Sequence, residues 1–128
     1  MNHTEIPSDM YKEHIMELYK SPSNFGLIEN PTHEATEHNS ICGDEITVQI
    51  ITKDKKVEDV KFSGSGCAMS MVSSSLLTDK IKGMEIEEIK KLNQKDILNL
   101  LNVKVTPARI KCILLPLEAA KKALENEN

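Results

Sequence analysis

The chain has 128 residues, a length that suits one compact domain and leaves no room for a second of ordinary size. Its 16 Lys and Arg and 20 Asp and Glu residues give a formal charge of −4, with both signs interspersed along the chain. There is no Trp, and two Tyr and two Phe are the only aromatic residues, so a module that binds nucleic acid or carbohydrate is not expected. We predict a single domain over residues 1–128, with flexible tails at residues 1–8 and 126–128.

The chain carries no sign of a membrane or secretory segment. No apolar run approaches the ~20 residues that span a bilayer, and residues 1–10 lack the basic and apolar regions of a leader. The three cysteines, 25 and 45 residues apart, are an odd number and are not typical of a secreted disulfide framework. The sequence therefore predicts a cytoplasmic protein with reduced thiols and no membrane partner.

The first half of the chain predicts one helix and then strands. Apolar residues at helical spacing predict an amphipathic helix over residues 8–20, ended by a Ser-Pro pair. The polar residues 22–41 predict a loop with room for one edge strand. Alternating apolar residues at 46–50 and 60–62 flank a polar turn at 53–55, and this pattern predicts an antiparallel hairpin.

The second half of the chain predicts helices. A mostly buried helix spans residues 67–82 and is stopped by Gly83, and shorter helices follow around residues 85–92 and 97–101. Prolines at 107 and 116 each read as the first residue of a helix, so Cys112 is predicted near the junction of a one-turn helix and a last helix. The order helix, strands, helices predicts an α+β fold, with a small antiparallel sheet of about three strands packed against several helices.

The three cysteines fall at predicted element boundaries, whereas structural cysteines more often lie within an element. Cys42 and Asp44 flank Gly43, which lets the backbone turn so that both side chains point to one side. Cys67 starts a helix, where the helix dipole favours a thiolate, and Cys112 lies near proline. Three thiolates and one carboxylate suit either tetrahedral zinc or an iron–sulfur cluster.

Several alternatives stay open. Each cysteine could instead be a small buried hydrophobe, and Arg109 and Lys111 either stabilise an anionic site or are solvated charges on a helix face. His33 and His38 either swing towards the site or stay as exposed loop residues. The serine run at residues 73–75 is read as close packing. A redox ferredoxin is disfavoured because there is neither a fourth cysteine nor a CxxC pair.

Three segments resemble the IscU/SufU-type iron–sulfur cluster assembly scaffolds, a family also found as the NifU N-terminal domain. They are Cys42-Gly-Asp44, the run around Cys67 at residues 63–75, and Ala-Arg-Ile-Lys-Cys112. The helix and Pro-x-Asn-x-Gly turn at residues 15–26 match too, so the resemblance covers nearly the whole chain. It implies a SufE/NifU-like fold, with metal or cluster ligation by Cys42, Asp44, Cys67 and Cys112.

The chain departs from each branch of that family. Lys111 precedes the third cysteine, as in the SufU branch, whereas IscU proteins have histidine there. The insertion that SufU relatives usually carry between their second and third cysteines is missing. Residues 103–108 replace the Leu-Pro-Pro-Val-Lys segment that IscU proteins present to an Hsp70-type chaperone, which argues against chaperone-assisted release.

The resemblance implies a scaffold more than an enzyme. A cysteine desulfurase passes persulfide sulfur to a thiolate, for which Cys112 is the candidate, iron joins, and a transient [2Fe-2S] cluster forms and passes to acceptor apoproteins. Asp44, the one hard ligand, is expected at the surface as the position that opens. The alternative is a zinc-bound persulfide acceptor that never holds a cluster, which Lys111 favours and the missing insertion opposes. A third reading is a structural zinc domain, whose site would be enclosed.

Overall fold

The computed structural model describes residues 8–41 and 43–125, so Cys42 and the two ends of the chain lie outside the described residues. The predicted flexible tails, residues 1–8 and 126–128, fall on those ends except for Ser8. Ser8 is the first residue of helix α1, and the predicted tails stay a prediction.

The described residues form a three-stranded antiparallel sheet, in the order β1-β2-β3, with helices before and after it. This confirms the predicted α+β class and the third, edge strand. None of the described helices is both long enough and apolar enough to cross a bilayer. The elements are α1 (Ser8–Lys20), β1 (His33–Asn39), β2 (Asp44–Lys53), β3 (Lys56–Ser65), α2 (Ala68–Ile81), α3 (Ile86–Lys90), α4 (Gln94–Leu101) and α5 (Pro107–Leu124).

The β2–β3 hairpin follows from its turn residues and its alternation. Asp54 and Lys55 have φ values of 53° and 64°, the two positive values that a two-residue type I′ turn requires. Ile50 pairs with Val60 across the hairpin, and both side chains are fully buried. The predicted apolar face is thus the face that meets the helices.

The core lies between this sheet face and helices α2 and α5, since α5 packs on β1, β2 and α2. Burial of such aliphatic side chains stabilises the fold by roughly 1.5–3 kcal/mol each. The fully buried side chains include Ile46, Val48, Phe62, Leu77, Ile113 and Leu124.

Helix α5 runs through Pro116, and the predicted break before that residue is wrong. A proline inside a helix lacks the N–H that would bond to the carbonyl four residues earlier, here that of Cys112. The hydroxyl of Ser70 on α2 lies 3.2 Å from that carbonyl oxygen, so a polar group from outside the helix faces it. Packing against α2 therefore lets α5 continue, and Cys112 lies within a helix and not at a boundary.

Strand β3 ends at Ser65, inside the Gly-rich stretch of residues 63–66. Gly64 has a φ of +122°, and a Cβ there would lie 2.1 Å from the carbonyl oxygen of Glu45. Glycine thus allows β3 to stay paired with the beginning of β2, which carries the chain to within two residues of Cys67.

Candidate metal and cluster site

The antiparallel pairing of β2 and β3 brings candidate ligand residues that are far apart in the sequence to one end of the sheet. Asp44 begins β2, and its neighbour Glu45 pairs with Ser65, the last residue of β3. Cys67 follows as the N-cap residue of α2. Cys112 reaches the same place from α5, which packs against α2. Three elements therefore converge on one corner of the molecule.

The ligand atoms at this corner are close enough to share an ion. One carboxylate oxygen of Asp44 and the Sγ atoms of Cys67 and Cys112 all lie within 4.8 Å of one another. Around a tetrahedral zinc with Zn–S bonds of about 2.3 Å, two sulfurs would lie about 3.8 Å apart. Small side-chain movements would therefore close the group around a metal.

Three of the four predicted ligand residues are thus brought together, and Cys42 lies outside the described residues. Within the described ranges, no other group of three His, Cys, Asp or Glu residues is close enough to hold a metal. The membership of Cys42 stays a prediction.

The carboxylate of Asp44 is held by the beginning of α2. The backbone N–H of Cys67 donates to Oδ1 at 3.2 Å, and the hydroxyl of Ser70 donates to Oδ2 at 2.6 Å. Asp44 is 5% exposed, so the expectation that it is a surface carboxylate is wrong. Because β2 begins beneath the turn into α2, the strand pairing that positions Asp44 also buries it.

Asn39, at the end of β1, organises the turn that precedes Asp44. Its carbonyl oxygen accepts from the N–H of Gly43 at 2.7 Å, and its Oδ1 accepts from the N–H of Ile41 at 3.1 Å. Its side-chain amide donates to Cys112 Sγ at 3.9 Å. Gly43 has a φ of +78°, so the predicted turn glycine is in the conformation that favours glycine. Asn39 thus connects this turn to α5.

The two predicted thiols at this corner differ in access. Cys112 is only 1% exposed, whereas Cys67 is half-buried and gives the site one face towards solvent. An enclosed structural zinc site would bury all of its ligands, so the access at Cys67 argues against that alternative.

A shallow cavity of about 280 Å³ lies beside the site, lined in part by Ile41, Lys111 and Glu118. Burial raises the pKa of the Glu118 carboxyl, the nearby charge of Glu37 raises it further, and Lys111 lowers it. Lys111 and Arg109 are both exposed, as expected for solvated charges on a helix face. Lys111 therefore lies two helical turns before Glu118 on the same face of α5, as well as flanking Cys112.

The two loop histidines do not join the ligand group. Both lie in β1, where His33 Nδ1 is 2.8 Å from the hydroxyl of Thr32. His38 is exposed and its Nδ1 lies 3.0 Å from Glu45 Oε1. Strand pairing therefore places them along the sheet edge and outside the metal-sized group.

The serine run at residues 73–75 is part of the helix packing, whereas Ser70, three residues before it, contacts the candidate site and was not predicted to do so. Ser73 donates to the carbonyl oxygen of Ile113 at 2.6 Å, and Ser75 donates within its own helix. Ser70 lies three residues after Cys67, a spacing that places both residues on one face of a helix. This spacing could have identified Ser70 as a neighbour of the site from the sequence alone. Asn39 carried no such signal, because its contacts depend on how β1 and α5 pack.

Comparison with known proteins agrees with this architecture. The profile of the family described as "NifU-like N terminal domain" matches residues 10–127. A crystal structure from Fervidobacterium islandicum, described as an iron–sulfur cluster assembly scaffold protein for the SUF system, superposes with a TM-score of 0.75. It is 32% identical to this chain, and the match covers 93% of this chain and 99% of that one. This similarity confirms the predicted fold.

Curated relatives carry two kinds of name. The "Iron-sulfur cluster assembly scaffold protein IscU 1" of Archaeoglobus fulgidus is 32% identical over 115 residues, covering 90% of this chain and 74% of the relative. The "Zinc-dependent sulfurtransferase SufU" of Bacillus subtilis is 34% identical over 135 residues, covering 92% of this chain and 91% of the relative. Sequence identity alone therefore does not separate the two activities.

Proposed function

This chain belongs to the family of NifU-like N-terminal domains, and we propose that it is a scaffold for assembling an iron–sulfur cluster. On this proposal a [2Fe-2S] cluster is built from iron and desulfurase-derived sulfur and is then passed to acceptor apoproteins. The observation that carries the proposal is the approach of Asp44, Cys67 and Cys112 to within 4.8 Å at a corner where the Cys67 thiol is accessible. The chain acts as a carrier and not as an enzyme.

We assign Cys42, Asp44, Cys67 and Cys112 as the ligands of the cluster. The resemblance supplies Cys42, and the geometry supports the other three. Thiolates are the usual ligands of iron–sulfur clusters, and the single carboxylate is a harder and more easily exchanged ligand. Three thiolates with one exchangeable carboxylate therefore suit a cluster that is assembled here and then transferred to another protein.

Sulfur delivery involves an exchange of sulfur bonds. The thiolate of the acceptor, for which Cys112 is our candidate, attacks the outer sulfur of the desulfurase persulfide, and the desulfurase cysteine leaves as a thiolate. Because Cys112 is 1% exposed and contacts the Asn39 side chain, the side chains around its sulfur, Asn39 among them, must move aside for this attack. Cys67 is the more accessible of the two described thiols.

The second candidate function is sulfur transfer by a zinc-bound form of the same site. The SufU relative, named a zinc-dependent sulfurtransferase, and Lys111 before the third cysteine favour it. Asp44, Cys67 and Cys112 could hold zinc equally well, since zinc accepts both thiolate and carboxylate ligands. The two functions then differ in the cargo and not in the ligands.

The partners follow from the same proposal. We expect a cysteine desulfurase to dock beside the site, where Ile41 and Lys111 line the cavity and Arg109 lies about one helical turn before Cys112. We expect acceptor apoproteins to receive the cluster there. Neither nucleic acid nor a membrane is an expected partner, and residues 103–108 argue against an Hsp70-type chaperone. The reduced thiols that the site needs fit a cytoplasmic location.

Anaerobic reconstitution with iron, cysteine and a desulfurase tests the scaffold proposal. The wild-type chain is expected to give the absorption and Mössbauer spectra of a [2Fe-2S] cluster and to transfer that cluster to an apoferredoxin. Metal analysis of the protein as purified tests the zinc alternative. Tightly bound zinc, stimulation of the desulfurase and no cluster would replace the scaffold with the sulfur-transfer function.

A further inference from the structure

The hydroxyl of Ser70 lies among all three described residues of the candidate site. Its Oγ is 2.6 Å from Asp44 Oδ2, 3.2 Å from the carbonyl oxygen of Cys112 and 3.6 Å from Cys67 Sγ. Ser70 itself is fully buried on α2. A buried hydroxyl in this position contacts each ligand residue without being one of the predicted ligands.

We propose that Ser70 is the positioning residue of the site, holding the Asp44 carboxylate in the orientation in which it can ligate the cargo. The inference rests on the proposed function, because it concerns the same ligands. Hydrogen-bonded partners of this kind typically account for 10–100-fold in metal affinity. At 2.6 Å the bond from Ser70 has the length of a charge-assisted O–H···O⁻ bond.

Pro116 gives the Ser70 hydroxyl a second acceptor. Because proline has no N–H, the carbonyl of Cys112 lacks its ordinary helical donor, and its oxygen lies within reach of α2. A hydroxyl has a single proton, so the shorter bond to Asp44 takes it first. The carbonyl oxygen of Cys112, at 3.2 Å, is the second acceptor and keeps the hydroxyl on the side of the Asp44 carboxylate. One oxygen of that carboxylate can then accept from Ser70 while the other faces a bound ion.

Gly66 provides the space for this contact. A Cβ at this position would lie 3.0 Å from Ser70 Cβ and 3.3 Å from Asp44 Cγ. A side chain there would require Ser70 and Asp44 to shift by a few tenths of an ångström, which disturbs the bond between them. Gly66→Ala therefore disturbs the same contact as Ser70→Ala while keeping the hydroxyl.

The test measures zinc affinity by competition with a chromophoric chelator, for the whole chain and its variants. Ser70→Ala is expected to bind zinc about 10–100-fold more weakly than the wild type. Ser73→Ala is the matched control, because Ser73 is buried on the same helix and also donates to a carbonyl of α5, that of Ile113. Its zinc affinity should not change.

A double-mutant cycle separates positioning from general support of the fold. If Ser70 acts through Asp44, then Ser70→Ala should change zinc affinity little in an Asp44→Ala background. The cobalt(II) spectra of Ser70→Ala and Asp44→Ala should also resemble each other, because both variants weaken the oxygen ligand. An equal loss of affinity in both backgrounds would overturn the inference.

The outcomes distinguish this inference from the proposed function. If the wild type binds neither zinc nor a cluster, both are wrong. If the wild type binds and Ser70→Ala binds equally well, only the inference is wrong. Should Ser70→Ala fail to fold by circular dichroism, Gly66→Ala decides: weaker zinc binding supports the positioning role, and unchanged binding overturns it.

Discussion

The floor and the rim of the candidate site are built in opposite ways. The floor comprises Asp44, Ser70 and Cys112, and the rim comprises Ile41, Arg109 and Lys111. Floor side chains are buried and hydrogen-bonded across three elements, whereas rim side chains are exposed, Ile41 to 81%. Buried polar contacts are costly to break and exposed charges are not. On the proposed function, we therefore expect the floor to determine what the site holds and the rim to determine what docks on it.

Cys112→Ser should give the largest effect, with a strong loss of metal binding at the floor and no loss of desulfurase binding at the rim. Replacing a soft thiolate ligand by a hydroxyl should lower zinc affinity beyond the roughly 100-fold that loss of an outer partner costs, and should prevent a stable cluster. Desulfurase binding should persist, because the rim is unchanged. Zinc competition and a pull-down with the desulfurase measure the two effects.

Serine is close in size to cysteine, so the variant should keep the fold, which circular dichroism can verify. Wild-type zinc affinity in Cys112→Ser would remove Cys112 from the ligand set. Loss of desulfurase binding with zinc affinity intact would reverse the roles of floor and rim.

Charge reversal of the rim should give the complementary result. In Arg109→Glu/Lys111→Glu, stimulation of the desulfurase should fall several-fold at low salt, and the difference should shrink as salt screens the charges. Zinc affinity should stay at the wild-type level, and the free energy of unfolding should change by no more than about 0.5 kcal/mol.

The control reverses two exposed lysines, Lys53→Glu/Lys56→Glu, at the opposite end of the β2–β3 hairpin from Asp44. It makes the same change in net charge away from the rim. Equal loss of stimulation in both double variants would mean that overall charge matters and the rim does not.

Glu118→Gln should have the smallest effect, on stability as a function of pH. Burial first, and Glu37 second, raise the pKa of Glu118 in the folded chain, so its ionised form is disfavoured by folding. The folded state then binds more protons than the unfolded state, and stability falls as pH rises through the raised pKa. Gln should therefore be slightly more stabilising than Glu at neutral pH.

Below about pH 4, near the unperturbed value for glutamate, both states of the wild type are protonated and the difference should vanish. Urea unfolding of wild type and variant across this range measures it. A difference that grows on acidification would contradict a raised pKa for Glu118 in the folded chain.

Much of the fold could be predicted from sequence features that are local in the chain. The alternation at Val48 and Ile50, the polar turn at Asp54 and the stop at Gly83 depend on residues near one another in sequence. The predicted helix break before Pro116 was wrong because, judged from its sequence neighbours alone, a proline favours the first position of a new helix. Helix α5 continues through Pro116 where it packs against α2, which places the Ser70 hydroxyl 3.2 Å from the Cys112 carbonyl oxygen.

The candidate ligands were predicted by chemistry and by family resemblance, but their surroundings were not. Cys67 and Asp44 belong to short motifs that can be read in the sequence. The burial of Asp44 and its bond to Ser70 depend on strand register and on the space at Gly66. Such features arise from tertiary packing between segments far apart in the chain, which residue patterns do not encode locally.

The position of helix α5 in the chain also determines when the domain can finish folding during its synthesis. It follows every other described element in the chain, covers the sheet, and carries Cys112. A nascent chain that ends before α5 therefore exposes the apolar face of the sheet and lacks one thiol of the candidate site. Since a domain folds as a unit, the core and the site are completed in the same step, once α5 has left the ribosome. A partly synthesised chain consequently offers iron or zinc only a fragment of the ligand set.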